Sequence, residues 1–73
     1  MTKEILTQFG QRVRQERLKL GLSQEELATR AGVHRTYIGM IERAEKNITL
    51  ENIEKISKAL KINISDFFDN YYL

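Results

Sequence analysis

Residues 22–43 read LSQEELATRAGVHRTYIGMIER, and the rest of the chain is arranged around them. The spacing predicts two short helices joined by a tight turn. Ser23 is placed to cap the first helix. Its hydroxyl can accept from the backbone N–H of Glu26 while the Glu26 carboxylate reaches back, a capping box. Leu22 before the cap and Leu27 inside the helix stand at the positions of a hydrophobic staple. Leu27, Ala28 and Ala31 share one face at helical spacing, and Ala28 is small where a second helix must cross closely. Gly32 ends the helix, because glycine takes a left-handed backbone without steric penalty. Val33 plugs the corner. His34 or Arg35 opens the second helix, which turns Ile38 and Ile41 inward and Tyr37 to the edge. Arg35, Thr36, Gly39, Met40 and Arg43 are left facing out.

A tight turn with this apolar set makes the helices cross steeply, the helix-turn-helix geometry in which the second helix can enter a DNA major groove. The outward face suits that task. Arg35 can grip a guanine edge with two hydrogen bonds, and Thr36 can donate, accept or touch a thymine methyl. Gly39 keeps the helix thin, and Met40 is the third candidate base-contact position. An ordinary helical hairpin is the competing reading. Gly39 and Met40 weigh against it: they are odd choices for a purely solvated face, and glycine inside a helix costs about 1 kcal/mol relative to alanine.

Seventy-three residues predict one domain, 1–73, with a thin core. There is no cysteine, hence no disulfide framework and no thiolate metal site, which suits a reducing cytoplasm. No apolar run is long enough to span a membrane, and the start MTKEILTQFGQR does not read as a signal peptide. No repeat or low-complexity segment is present. The net charge of +2 is unevenly placed. Up to Leu22, Lys3, Arg12, Arg14, Arg17 and Lys19 face only Glu4 and Glu16; from Glu45 onward acidic residues outnumber lysines. A chain polarised in this way fits a protein with one side against phosphate, although a plain solvated surface produces the same pattern.

Helical periodicity runs from about residue 3 to 20, with Ile5, Leu6, Phe9, Val13 and Leu20 near one stripe and Gln8, Arg12 and Lys19 opposite. Gly10 within it marks close packing or a frayed start. Gly21 ends this helix. Arg17 lies near the stripe, where an unpaired charge is expensive. Glu42, on the inward side of the second motif helix, is its expected partner in a structural salt bridge. Arg14 is open to either phosphate contact or solvation. After Arg43 comes a loop in which Asn47 is the expected left-handed or capping position, with Lys46 and Asn47 within reach of DNA backbone or simply on a surface turn. Thr49 caps a helix over about 50–60, whose stripe is Leu50, Ile53, Ile56, Ala59 and Leu60. Ser65 caps a last helix over about 66–70, and Ile62, Ile64, Phe67 and Phe68 seal the core. The apolar end, Phe67, Phe68, Tyr71 and Tyr72, is expected to form a two-fold dimer interface; the alternative is that Tyr71 and Tyr72 fold back on their own domain.

With these residues placed, the chain resembles the Cro/C1-type (XRE) helix-turn-helix family over roughly residues 9–68. The carriers are VRQER (13–17), GLSQEELA (21–28), AGVHRTYIGMIER (31–43), ITLENIEKISKAL (48–60) and a closing I-x-x-x-x-F-F. Within that family it is most similar to the controller proteins of restriction–modification systems, small dimeric transcription factors on palindromic operators. The resemblance implies an all-α, compact five-helix bundle of the lambda-repressor-like kind, with helices about 3–20, 24–31, 35–43, 50–60 and 66–70. It implies base contacts from Arg35 and Thr36 and backbone contacts from Gln24, Tyr37, Arg43, Lys46 and Asn47, with Gln24 either holding a phosphate or bracing the recognition helix and Tyr37 either touching the backbone or helping to read deformed DNA. Arg17–Glu42 matches a salt bridge common in the family. Ala44 and Thr49 stand where the family often has glycine and proline.

The implied partners are double-stranded DNA, a second copy of the chain and RNA polymerase, with no membrane. A phage-type repressor or the antitoxin of a toxin–antitoxin pair is the neighbouring alternative. A protein-interaction module without specific DNA binding is the alternative from another class. Enzymatic chemistry is not expected. His34 is the sole histidine, and the sequence holds no carboxylate pair, metal-ligand cluster or glycine-rich phosphate loop, so no catalytic residue, metal or cofactor is assigned.

Overall fold

The computed structural model describes residues 3–68. Its elements, in order, are α1 (Lys3–Lys19), α2 (Gln24–Ala31), α3 (Arg35–Glu42), α4 (Leu50–Leu60) and a 3₁₀ segment, Ile64–Phe68. The described residues are thus all-α, with four α-helices rather than five.

Local chemistry accounts for the boundaries. At the start of α2 the Glu26 N–H donates to Ser23 Oγ at 3.0 Å and the Ser23 N–H donates to Glu26 Oε1 at 2.9 Å, so both halves of the capping box are made. Gly32 closes α2 in the left-handed conformation (φ 72°, ψ 34°), with its N–H directed at the carbonyls of Ala28 and Thr29. His34 is the N-cap of α3: its Nδ1 accepts from the Thr36 N–H at 3.1 Å. Thr49 caps α4 by accepting from the Asn52 N–H at 3.1 Å.

One core joins the helices. Phe9 and Val13 from α1, Leu27, Ala28 and Ala31 from α2, Ile38 and Ile41 from α3, and Ile53, Ile56, Ala59 and Leu60 from α4 are buried together. Burying each large side chain contributes roughly 1.5–3 kcal/mol relative to exposure. Phe67 closes the cluster. Its ring lies 4.7 Å from that of Phe9 in a tilted pair, and Phe68 stacks on Phe9 at 5.9 Å. α1 crosses the end of α3 at Gly10. A Cβ there would collide with the Ile41 carbonyl oxygen and sit 3.0 Å from that of Glu42, so only a bare backbone permits the crossing.

Several expectations are corrected. The last described element is a 3₁₀ segment, Ile64–Phe68, where a helix beginning at 66 with Ser65 as its cap was expected; residues 69 and 70 lie outside the described residues. Its entry is tied by the Asn63 N–H donating to Asp66 Oδ2 and the Asp66 N–H donating to the Asn63 carbonyl. The left-handed loop residue is Ala44 (φ 58°), not Asn47; the turn is made directly after α3. Leu50 is 79% exposed. Ile48 takes its seat in the core, one residue before the cap and paired by position with Ile53 as a staple. Leu20 is exposed because it lies beyond the last helical residue, where the helical period no longer applies. Arg12 faces not solvent but the 3₁₀ segment: Nη1 donates to the Asp66 carbonyl at 2.7 Å and Nε to Glu16 at 3.0 Å. Tyr71 and Tyr72 lie outside the described residues.

Candidate nucleic-acid interface

The N-terminal turn of α2 and the outer face of α3 line one open groove. Ser23, Gln24, Glu25, Arg35, Thr36, Gly39 and Arg43 border it, with Arg17 at its floor. Recognition helices of this geometry read base edges with their N-terminal residues. Here those residues are Arg35 and Thr36, both exposed.

A buried polar network fixes the angle of α3 beneath that groove. Arg17 Nε donates to Glu42 Oε2 at 2.7 Å and Nη2 to Oε1 at 3.1 Å, the bidentate geometry that favours arginine, while Nη1 reaches the Leu22 carbonyl at 2.8 Å. Gln24 Nε2 donates to Glu42 Oε1 at 3.1 Å. Arg17 is 8% exposed and the Glu42 side chain 4%. A carboxylate at a helix C-terminus opposes the macrodipole, and Arg17 offsets it with a full charge. The network joins the end of α1, the turn before α2, the first residue of α2 and the last of α3. Gln24 braces α3 through this bond while standing at the groove's edge.

The sequence-selected residues fall into different places. Arg35 and Thr36 are open to solvent, as are Arg43, Lys46 and Asn47. Gly39 lies on the outer face, where it borders the groove, but it is buried there. The Arg43 guanidinium folds back one turn over it: a Cβ at Gly39 would meet Arg43 Nη1 at 3.1 Å. Gly39 therefore makes a bed for Arg43. Met40 is half-buried. Tyr37 is half-buried, and its hydroxyl accepts from Asn52 Nδ2 at 2.9 Å, which leaves the phenolic hydrogen free to donate. Phe67 is 1% exposed and fully used inside its own core, so it offers nothing to a second copy. Phe68 is half-buried against the same cluster.

Three carboxylates matter that sequence reasoning did not single out. Glu25 Oε2 accepts from Arg35 Nη1 at 3.0 Å. Glu45 lies 3.1 Å from Arg43 Nε, and its hydrogen bond and charge raise the Arg43 pKa further above its ordinary value. Glu16 is buried between Arg12 and Lys19. Burial pushes its carboxyl pKa up, but the hydrogen bonds and charges of Lys19 and Arg12 outweigh that and hold it below the ordinary value. The Glu45 contact, two residues along, carried a local signal. The Glu25 contact spans the turn and had none beyond the tightness of the turn. Among the described residues no group of histidines or carboxylates is arranged to hold a metal ion, and no helix is long and apolar enough to cross a membrane.

A helix-turn-helix family model matches residues 13–67, which takes in most of the core, both motif helices and the Arg17–Glu42 brace. The chain belongs to the helix-turn-helix family of DNA-binding transcriptional regulators. Within the family it is 54% identical over 70 residues to the control protein C.BamHI of Bacillus amyloliquefaciens, covering 94% of this chain and 86% of that one. It is 47% identical over 62 residues to the control protein C.SmaI of Serratia marcescens, covering 85% and 70%. The crystal structure of the restriction–modification controller protein C.AhdI from Aeromonas hydrophila superposes with a TM-score of 0.84 at 46% identity, covering 86% of this chain and 96% of that one.

Proposed function

We propose that this protein is a cytoplasmic controller-type transcription factor. Two copies bind an inverted-repeat operator and set the timing of restriction endonuclease expression relative to the methyltransferase. The observation that carries this is the open outer face of α3, with Arg35 and Thr36 at its exposed start, on a chain 54% identical to a control protein. In this reading Arg35 and Thr36 read base edges. Tyr37, Arg43, Lys46 and Asn47 hold phosphates, which sets register and supplies salt-dependent affinity. Met40, half-buried, is left with at most an apolar contact to a base.

A two-fold dimer would place its recognition helices about 34 Å apart, one turn of DNA. The surface supporting such a dimer is the end carrying the 3₁₀ segment, where Ile64 is 39% exposed and Phe68 is only partly buried. Bound over a promoter the dimer represses; bound upstream it can recruit RNA polymerase. The test is a reporter fused to the promoter of the neighbouring endonuclease gene, followed in time with and without this protein. A delayed change in reporter output is expected. Identical time courses, or a neighbouring toxin gene in place of an endonuclease and methyltransferase, would remove the controller role.

A further inference from the structure

Glu25 is out of place on a surface meant for DNA. It stands in the first turn of α2, borders the same groove as Arg35 and Thr36, and is 69% exposed. A carboxylate on a face that meets phosphates opposes binding by simple Coulomb repulsion. Its contact is specific, however: its Oε2 accepts from Arg35 Nη1 at 3.0 Å across the turn of the motif. We propose that Glu25 is a positioning and specificity-determining residue, which holds the Arg35 guanidinium for a guanine edge and denies it to phosphate. The proposal rests on Arg35 being a base reader.

Three physical points carry it. First, the guanidinium has more N–H groups than Glu25 uses, so one contact leaves a pair of donors for the acceptors of guanine. The ion pair and base reading do not compete. Second, an arginine that binds from a freely rotating state loses side-chain entropy, and one already directed by a neighbour loses less. In water an exposed pair of this kind is weak. When the groove closes on DNA and water leaves, the local dielectric falls and the same contact strengthens. Third, the paired guanidinium and carboxylate carry no net charge together. Such a pair has little long-range attraction to phosphate, but it keeps the directional hydrogen bonds that a guanine can receive. A free arginine would gain on any sequence, whereas a buttressed one gains chiefly on the right one.

These points predict opposite effects on two kinds of DNA. The experiment titrates the wild-type protein and the variants Glu25→Gln, Glu25→Asp, Arg35→Ala and Glu25→Gln/Arg35→Ala against two duplexes of equal length. One is enriched from a random pool by the wild-type protein and the other is its scrambled version. Equal melting temperatures confirm that each variant is folded, as expected for exposed positions. Glu25→Gln should bind the scrambled duplex several-fold tighter, with a salt slope steeper by about one, while the ratio of matched to scrambled affinity falls about tenfold. Glu25→Asp keeps the charge but shortens the reach, so the ratio should fall with scrambled binding unchanged. In the Arg35→Ala background, Glu25→Gln should no longer alter the ratio. Equal strengthening on both duplexes would make Glu25 a mere background charge, and an unchanged ratio in both Glu25 variants would overturn the proposal. If Arg35→Ala alone left the ratio intact, Arg35 would not be a base reader, and the reading beneath the proposal would fail with it.

Discussion

Arg35 and Lys46 represent the two kinds of contact that the interface is expected to make. Arg35 opens α3 with its side chain exposed. Arg35→Ala should cost about 1–3 kcal/mol on matched DNA and blur base preference at its position. Titrations against matched and scrambled duplexes check this; equal losses on both would reduce Arg35 to a phosphate contact. Lys46 sits in the loop after α3, exposed. Lys46→Ala should weaken both duplexes alike and lower the salt slope by about one unit. A slope that did not move would take Lys46 out of the interface. The exposure of Arg35 could be anticipated from helical spacing, and that of Lys46 from its place in the loop. The carboxylate beside Arg35 could not, because Glu25 reaches Arg35 only through the crossing of α2 and α3. Gly39 lies on the outer face where periodicity put it, but Arg43 folds over it and covers it, which periodicity does not show.

Helix ends were the most legible part of the chain, because each is decided within three or four residues. Ser23 with Glu26, Gly32 and Thr49 all act where their spacing put them. The Ser23 backbone N–H, then its hydroxyl, hold the Glu26 carboxyl below its ordinary value of 4.5. A carboxyl whose pKa is depressed on folding stabilises the native state above the unfolded value, and that contribution is lost as pH falls through the folded one. Melting temperature should therefore drop between about pH 6 and about pH 3, with Glu16 adding in the same direction. Glu26→Gln, which can still accept from the backbone but does not titrate, should show a shallower fall; an identical profile would remove Glu26 as a contributor. Where helices meet, spacing alone was insufficient. Gly10 was open to two readings, and the carbonyl of Ile41 against it decides for close packing. Gly10→Ala should destabilise by about 1–3 kcal/mol or more, since backbone has little room to retreat. A denaturant midpoint equal to that of the unaltered protein would show that the α1–α3 approach is looser than described. Leu50 was assigned to the core by its phase, but Ile48 before the cap occupies that place.

Assembled, the fold is a rigid mount for α3. α1 and the first residue of α2 grip the last residue of α3 through Arg17, Gln24 and Glu42, while Ile38 and Ile41 anchor its inner face. The aromatic cluster of Phe9, Phe67 and Phe68, with Arg12 reaching the Asp66 carbonyl, ties the far end of the chain back to α1. That last bond joins residues 54 apart. No local pattern announces it, and the expectation of an α-helix beginning at 66 missed the 3₁₀ segment for the same reason. What the mount presents is an eight-residue helix with its apolar side buried and its start exposed. The account stands on that helix reading base sequence, in two copies related by a two-fold axis. Selection of bound duplexes from a random pool tests it most directly. The account predicts an enriched inverted repeat with half-sites about one helical turn apart, centre to centre, and loss of the base preference contacted by Arg35 when selection is repeated with Arg35→Ala. A pool that shows no enrichment, or the same enriched sequence with and without Arg35, would contradict it.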